Sequence, residues 1–232
     1  VMVYDHVQGV RHDLAEFKSY MYADTTPILL TALLGGNDAV SGSSAPYTHV
    51  ISLKNASATG ADAQPTAFTL TDFYAANVRA YPGIQIHDFN MKFTSDGMLD
   101  YDTKATGWLS DTASTPTPSF SSVLPTPVWL ATVSIAGSPV AYTVDGEINM
   151  SRPVTPIFGL ADTKDPYQVF LGALETTGKF KFVMENDAEL TRFLTNTQPS
   201  ITLDWSQGSG STATQISFTI TEPYGFSFVT NL

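Results

Sequence analysis

Four histidines, at positions 6, 12, 49 and 87, are the first residues to test for chemistry. Imidazole can ligate a metal or move a proton near neutral pH. No two of these stand at the spacing of a metal pair, and a lone histidine on a strand reads as a surface or partly buried side chain. Asp96, Asp100 and Asp102 form an acidic cluster that has the oxygens for calcium. Calcium loops supply more oxygen ligands and a glycine-enforced turn, so the cluster reads instead as a solvated hairpin end. Paired carboxylates of the glycosidase kind are available, but any acidic chain offers them. Gly208-Ser209-Gly210-Ser211 is not a nucleophile elbow, which needs Gly-x-Ser-x-Gly between a strand and a helix. It reads as a hairpin turn. No glycine-rich phosphate loop stands with its lysine. Zero cysteines excludes a disulfide framework, a thiolate metal site and a cysteine nucleophile. Asn55-Ala56-Ser57 and Asn149-Met150-Ser151 fit the glycosylation triplet, which is common by chance. No catalytic residue, no metal site and no cofactor is expected.

Composition points away from adhesion. The 232 residues carry 22 Asp and Glu against 11 Lys and Arg, a net charge of −11. Charged residues make up only 14% of the chain, where about a quarter is usual. With 43% hydrophobic and 12% aromatic residues the chain can bury a core, which acidic disordered tails cannot. The acid excess argues against a nucleic-acid grip, which needs clustered Lys and Arg, and against an anionic membrane surface. No apolar run approaches the ~18 residues of a membrane span, so no membrane partner is expected.

The elements that position these residues are mostly strands. Leu14, Phe17 and Met21 fall at helical spacing, so Asp13–Met21 reads as a helix. Thr26, Pro27 and Gly35 supply a cap, a first-turn proline and a stop around a short buried helix over Pro27–Leu34. Asn37–Tyr47 and Asn55–Gln64 read as small polar loops, with strands at His49–Lys54 and Ala67–Asp72. Val78–Thr94 is long and β-rich. Its apolar positions shift by one at His87-Asp88, which predicts a β-bulge. Ser95-Asp96-Gly97 is a turn signal, so Ile84–Leu109 reads as one long hairpin. Asp111–Pro127 is rich in Thr, Ser and Pro, the composition of a linker or of a long crossover. Strands return over Val128–Ile135, Ser138–Val144 and Glu147–Arg152. Asp165-Pro166 through Gly172 repeats the cap, proline, helix and glycine grammar of Thr26–Gly35. Thr176–Met184 reads as a strand with Phe180, Phe182 and Met184 on one face. Asn186–Asn196 reads as a short helix with Leu190, Phe193 and Leu194 inward. Ile201–Ser206 and Thr214–Glu222 close the sheet.

Two weak echoes connect the halves. Asp88-Phe89-Asn90-Met91 resembles Glu147-Ile148-Asn149-Met150, and Ala105-Thr106-Gly107-Trp108 resembles Thr176-Thr177-Gly178-Lys179. They fit two halves of one β-structure that share a strand plan. Lysine, which blocks pairing at a sheet edge, is scarce, as a protein building sheets across subunit boundaries would want.

The run "YPGIQIHDFNMKFTSDGMLDYDTKATGW" resembles the central hairpin of major tail tube proteins of long-tailed bacteriophages. So does "DGEINMSRPVTPIFGLADTKDPYQVFLGALETTGKFKFVMENDAELTRFLTNTQPSITLDW", and "ADTTPILLTALLGG" resembles the helix before the first strands of such proteins. The resemblance runs in order from Ala23 to Ile220. It leaves Asp111–Pro127 and Pro223–Leu232 unplaced. It implies a mainly β fold, a β-sandwich or split barrel with short flanking α-helices. Residues 1–232 would form a single tail-tube domain with a helical N-terminal segment and the crossover near 111–127. Six copies would form a ring, and rings would stack into a hollow tube that conducts double-stranded DNA without binding it. The implied partners are copies of itself, a tape-measure protein, and tail terminator and distal tail proteins. The implied place is the virion tail, with assembly in the host cytoplasm.

A lumen lined by acids repels phosphate and keeps DNA mobile. Alternation along Ile84–Leu109 and Tyr142–Arg152 nominates the lumen-lining residues: Asp88, Asn90, Asp100 and Asp102, with Asp145, Glu147 and Asn149, and Asp96 at the hairpin end. One of the loops Asn37–Tyr47 and Asn55–Gln64 is expected to order against a neighbouring ring. The alternatives are a capsid decoration protein, a contractile-injection tube subunit, or a carbohydrate-active or carbohydrate-binding β-sandwich using Trp108, Trp129 and Trp205 as a platform.

Overall fold

Alternating apolar and polar side chains drive most of this chain into strands, because successive residues of a strand face opposite ways. The computed structural model describes residues 9–36, 38–54, 64–74, 77–140, 143–160, 164–183, 187–221 and 225–231. In chain order the elements are β1 (Asp13–Tyr20), α1 (Thr26–Leu34), β2 (Asp38–Ser41), β3 (Thr48–Ser52), β4 (Phe68–Tyr74), β5 (Asn77–Thr94), β6 (Asp100–Gly107), β7 (Asp111–Thr112), β8 (Ala131–Ile135), β9 (Ser138–Val140), β10 (Thr143–Ser151), β11 (Val154–Ile157), β12 (Gln168–Leu171), β13 (Glu175–Phe182), α2 (Ala188–Leu194), β14 (Ile201–Gln207), β15 (Thr214–Thr221) and β16 (Gly225–Asn231).

They build a mainly β fold of two seven-stranded sheets. The first runs β1-β6-β5-β10-β13, with β4 and β7 flanking the first half of β5. The second runs β2-β3-β16-β15-β14-β8-β9. The small pair β11-β12 stands apart. These pairings are antiparallel. Phe93 of β5 meets Trp205 of β14 edge-on, with ring centroids 5.5 Å apart, and Trp205 meets Phe218 of β15 in the same way. The first of these contacts joins the two sheets face to face over one apolar cluster that also takes in Leu30, Leu33 and Leu34 of α1. Gly146 stands opposite both Phe93 and Phe180 in the sheet. A Cβ there would collide with the Phe93 ring.

α1 follows its sequence signals. Pro27 opens the first turn, and Gly35 ends it in the left-handed region at φ 77°, its N–H donating to Thr31 O at 3.0 Å. Arg152, 4% exposed, anchors the far end. Its guanidinium donates to Leu34 O at 3.2 Å and to Gly172 O at 2.9 Å. A cation at a helix C-terminus also meets the negative end of the helix dipole.

Several expectations are corrected. Asp13–Met21 is not helical: Asp13–Tyr20 is a strand with Ala15 and Phe17 packed on the core and Leu14, Glu16 and Lys18 turned out. The open edge of β6 supplies a ladder of eight paired residues, which outweighs a chance helical spacing. Asp165–Gly172 holds no second helix: Gln168–Leu171 within it forms β12. Val169 and Leu171 are buried in alternation with Phe170, a two-residue period that suits a strand. α2 forms, but Leu190 and Leu194 are 47% and 73% exposed rather than inward. Among the described residues no element lies over those two side chains, which follow the rim strand β13 in the chain. Asn186 and the Phe193 side chain lie outside what is described, as does Met184. Part of the loop Asn37–Tyr47 is the edge strand β2, and all of Asn55–Gln64 except Gln64 lies outside the described residues. Ser138–Val144 divides into β9 and the start of β10. The unplaced C-terminal run supplies β16, an inner strand of the second sheet.

The bulge at His87 is present as a register shift between Ile86 and Asp88. The Thr/Pro-rich run carries the chain from the first sheet to the second. Ser121 Oγ donates to Asp24 Oδ1 at 2.8 Å, and Thr126 N to Met21 O at 3.1 Å, so the run is strapped down rather than free. The first pair of echoed segments are direct neighbours, and the second lies on β6 and β13, which do not pair with each other. Asn90 pairs with Asn149, Phe89 with Met150 and Met91 with Ile148, which sets the β6-β5 hairpin beside the antiparallel pair β10-β13.

Arg152→Met would remove the guanidinium donors from Gly172 O and from Leu34 O, the second of which keeps the Lys54 N–H at 2.9 Å. Hydrogen bonds to a charged group are worth about 1.5–3 kcal/mol each before relaxation. The variant is expected to lose unfolding free energy of a comparable total, read as a lower urea midpoint. An unchanged midpoint would show that Arg152 does not hold α1 against β10 and β12.

Candidate functional site

The outer face of the first sheet follows from the inner one. Phe89, Met91 and Phe93 of β5, Tyr101 and Ala105 of β6, and Ile148 and Met150 of β10 are buried against the second sheet. Their strand neighbours must turn the other way. Asp88, Asn90 and Lys92 stand out from β5, and Asp100, Asp102 and Lys104 from β6. Asp145, Glu147 and Asn149 do so from β10. The flanking strands add Glu16 and Lys18 of β1, and Glu175, Lys179 and Lys181 of β13.

Across the strands these residues alternate in sign. One row reads Glu16, Lys104, Asp88, Ser151, Glu175. The next reads Lys18, Asp102, Asn90, Asn149, Thr177, and the third Tyr20, Asp100, Lys92, Glu147, Lys179. A shorter fourth row sets Asp145 between Thr94 and Lys181. Every lysine of the face stands directly across from a carboxylate, and no two lysines of the face are cross-strand neighbours. Four ion pairs result: Lys18 with Asp100 at 3.0 Å, Lys92 with Glu147 at 3.5 Å, Lys104 with Asp88 at 3.9 Å and Lys181 with Asp145 at 3.6 Å. Opposite charges directly across a strand pair stabilise it and like charges destabilise it, so this order suits the ladder.

Two charged groups of this face titrate away from their ordinary range. Asn90 Nδ2 donates to Glu147 Oε1 at 3.1 Å, and this bond, aided by Lys92 and Lys179, lowers the Glu147 carboxyl below the usual carboxylate value. The hydrogen bond and charge of Asp100 raise the Lys18 ammonium. Both shifts favour the charged forms, so these two groups stay ionised at neutral pH.

The structure therefore brings seven of the eight nominated residues onto one face: Asp88, Asn90, Asp100, Asp102, Asp145, Glu147 and Asn149. Asp96 sits in the β5–β6 turn, off that face. The sequence reading missed the lysines. Five of the chain's seven are here, two of them on the rim strand β13, so the edge is not free of lysine. Their signal was present in Met91-Lys92-Phe93 and Lys179-Phe180-Lys181-Phe182, where lysine alternates with buried or half-buried apolar residues. With seven carboxylates and five lysines the face carries a net of −2, a small part of the chain's −11.

The other candidates do not converge. His12 tilts against Phe158, His49 Nδ1 bonds Asp38 at 2.8 Å, and His87 lies half-buried at the bulge, where burial lowers its pKa. His6 lies outside the described residues. Among the described residues no three His, Cys, Asp or Glu side chains gather as a metal site. Trp205 is buried in the core, Trp108 packs on Gly83, and Trp129 is 61% exposed, so the tryptophans form no shared platform. Gly210–Thr212 is a 3-10 turn between β14 and β15.

Comparison with known proteins adds one positive finding. The family model described as phage tail tube protein matches residues 5–228. A search among curated proteins finds no match.

Asn90→Ala is expected to raise the Glu147 titration midpoint toward the ordinary carboxylate value, as read by NMR of the side-chain carboxyl. A folded-state pKa below the unfolded one contributes stability above the unfolded value. That contribution is lost as pH falls through the folded one. The variant should accordingly lose less stability on acidification. An unmoved midpoint would show that the Asn90 bond does not set the shift.

Proposed function

The chain belongs to the phage tail tube protein family, structural proteins of the virion tail, and on that premise we propose that it forms the wall of a hollow tube conducting double-stranded DNA into the host cell. The observation that carries this reading is the two-sided first sheet. One face is sealed by the second sheet. The other displays a regular charged lattice in which, among the described residues, no nucleophile and base converge. The sheet also ends in two edges, β1 and β13, that pair with no further strand among the described residues. An open edge is a template for another chain. Four antiparallel steps lead from β1 through β6, β5 and β10 to β13, so the two edge strands point the same way. Rotation about a ring axis sets such edges side by side in parallel, so β1 of one copy can lie beside β13 of the next. Six copies in a closed ring would give a continuous barrel with the lattice facing the hole.

In this reading residues 1–232 are one tail-tube domain, rings stack head to tail, and the tape-measure, terminator and distal tail proteins meet the lumen and the two ends of the tube. Assembly takes place in the host cytoplasm. The exposed Leu190 and Leu194 of α2, which follows the edge strand β13, suit burial against a neighbouring copy. The protein's work is mechanical. It holds a bore open and lets phosphate slide past.

Electron cryo-microscopy of concentrated protein is expected to show rings or tubes with a central hole, and with Glu147 and Lys92 lining it. A tube with those two side chains on its outer wall would sink the reading, as would a protein that stays monomeric at every concentration.

A further inference from the structure

The structure assigns Asp88, Asp100, Asp145 and Glu147 a specific role, the masking of lysines, so that a face holding most of the chain's lysine stays passive toward double-stranded DNA. The purpose of the masking rests on the lumen-wall reading. The masking itself is a property of the isolated chain.

Five lysines on one flat face would ordinarily be a grip. Each one that neutralises a phosphate releases counterions from the duplex, and this is the main source of sequence-independent affinity. Here none of the five is left to itself. Lys92 lies between Asp100 and Glu147 in its row, and Lys104 between Glu16 and Asp88. Lys18 and Lys181 reach Asp100 and Asp145 at 3.0 and 3.6 Å. Lys179 stands across from Glu147. Strands lie roughly 4.8 Å apart. The screening length at physiological salt is about 8 Å. A phosphate approaching the face therefore meets opposite charges within one screening length and gains little from any lysine.

The ion pairs themselves add little stability. The side chains of Lys18, Lys92 and Lys181 are 60% exposed or more, and exposed pairs contribute little. Nor does a repelling wall by itself call for lysine. An all-acid face would set like charges directly opposite one another on every strand pair, which weakens the ladder. Alternation resolves both demands: the lysines keep the carboxylates from repelling across strands, and the carboxylates keep the lysines from phosphate.

The test uses the full chain at low concentration and a fluorescent duplex of mixed sequence, with binding read by anisotropy across a salt series. Wild type is expected to show no saturable binding. The variant D88N/D100N/D145N/E147Q leaves the five lysines against only Glu16, Asp102 and Glu175. It is expected to bind, with log affinity falling against log salt at a slope of about −2 to −4, which corresponds to a few phosphate contacts at about −0.9 each. A control, D72N/D96N/D111N/D187N, makes the same change in net charge off the face and should not bind. Should the quadruple variant fail to fold, Asp100→Asn alone, which removes the Lys18 ion pair and one of the two carboxylates beside Lys92, should bind more weakly than the quadruple but above wild type. Masking is overturned if folded variants lacking these acids do not bind, or if the control binds equally. The lumen reading fails separately, if assembled tubes carry Glu147 on their outer wall.

Discussion

Strand β5 has two faces, and the rest of the molecule depends on that. Its second half drives Phe89, Met91 and Phe93 into the core and leaves Asp88, Asn90 and Lys92 outside. Because β6 and β10 pair with it on either side, the same division passes to them, and through them to β1 and β13. A slip of one residue on β5 would exchange the faces, burying charge and exposing aromatic rings. The apolar row prevents that. Phe93 meets Trp205 of the opposite sheet, and Gly146 leaves room for it. The bulge at His87 lets one strand serve two surroundings: β4 and β7 flank it before the bulge, and the central sheet after it.

The same constraint sets the electrostatics. Once the register is set, every charge on the outer face has a defined neighbour, and those neighbours alternate in sign. The acidity of the whole chain is a poor guide to this surface, which is close to neutral although the chain carries −11. A near-neutral face densely set with ions stays hydrated and attracts neither a polyanion nor an apolar partner. In the proposed tube such a surface would suit the passage of DNA as well as an acidic one, and it puts less strain on the sheet that carries it.

Legibility in the sequence was uneven for physical reasons. The long hairpin, its bulge and α1 could be read because their signals are local: alternation, a turn triplet, a proline and a glycine at the ends of an apolar run. β1 and β12 carry helical signals in sequence yet form strands, since short segments satisfy both periods and the decision falls to an available edge. β1 found the edge of β6, and β12 found β11. The C-terminal strand β16 could not be placed at all, because its partners are β15 and the distant β3. Of the charged face, the carboxylates and asparagines could be read from alternation on single strands. The lysines could have been found by the same rule, but the composition drew attention to their scarcity rather than to their positions.

What the sequence determined alone is which side chains share a face along each strand, where the chain must turn, and that it carries no cysteine chemistry. Those properties belong to neighbours in the chain and need no distant partner. What only the tertiary structure decided is which strands lie side by side and in what register. From that follow the pairing of Asn90 with Asn149, the four lysine–carboxylate pairs and the two open edges. Register is a sum over backbone hydrogen bonds and packed rings from segments far apart in sequence, so no single segment contains it.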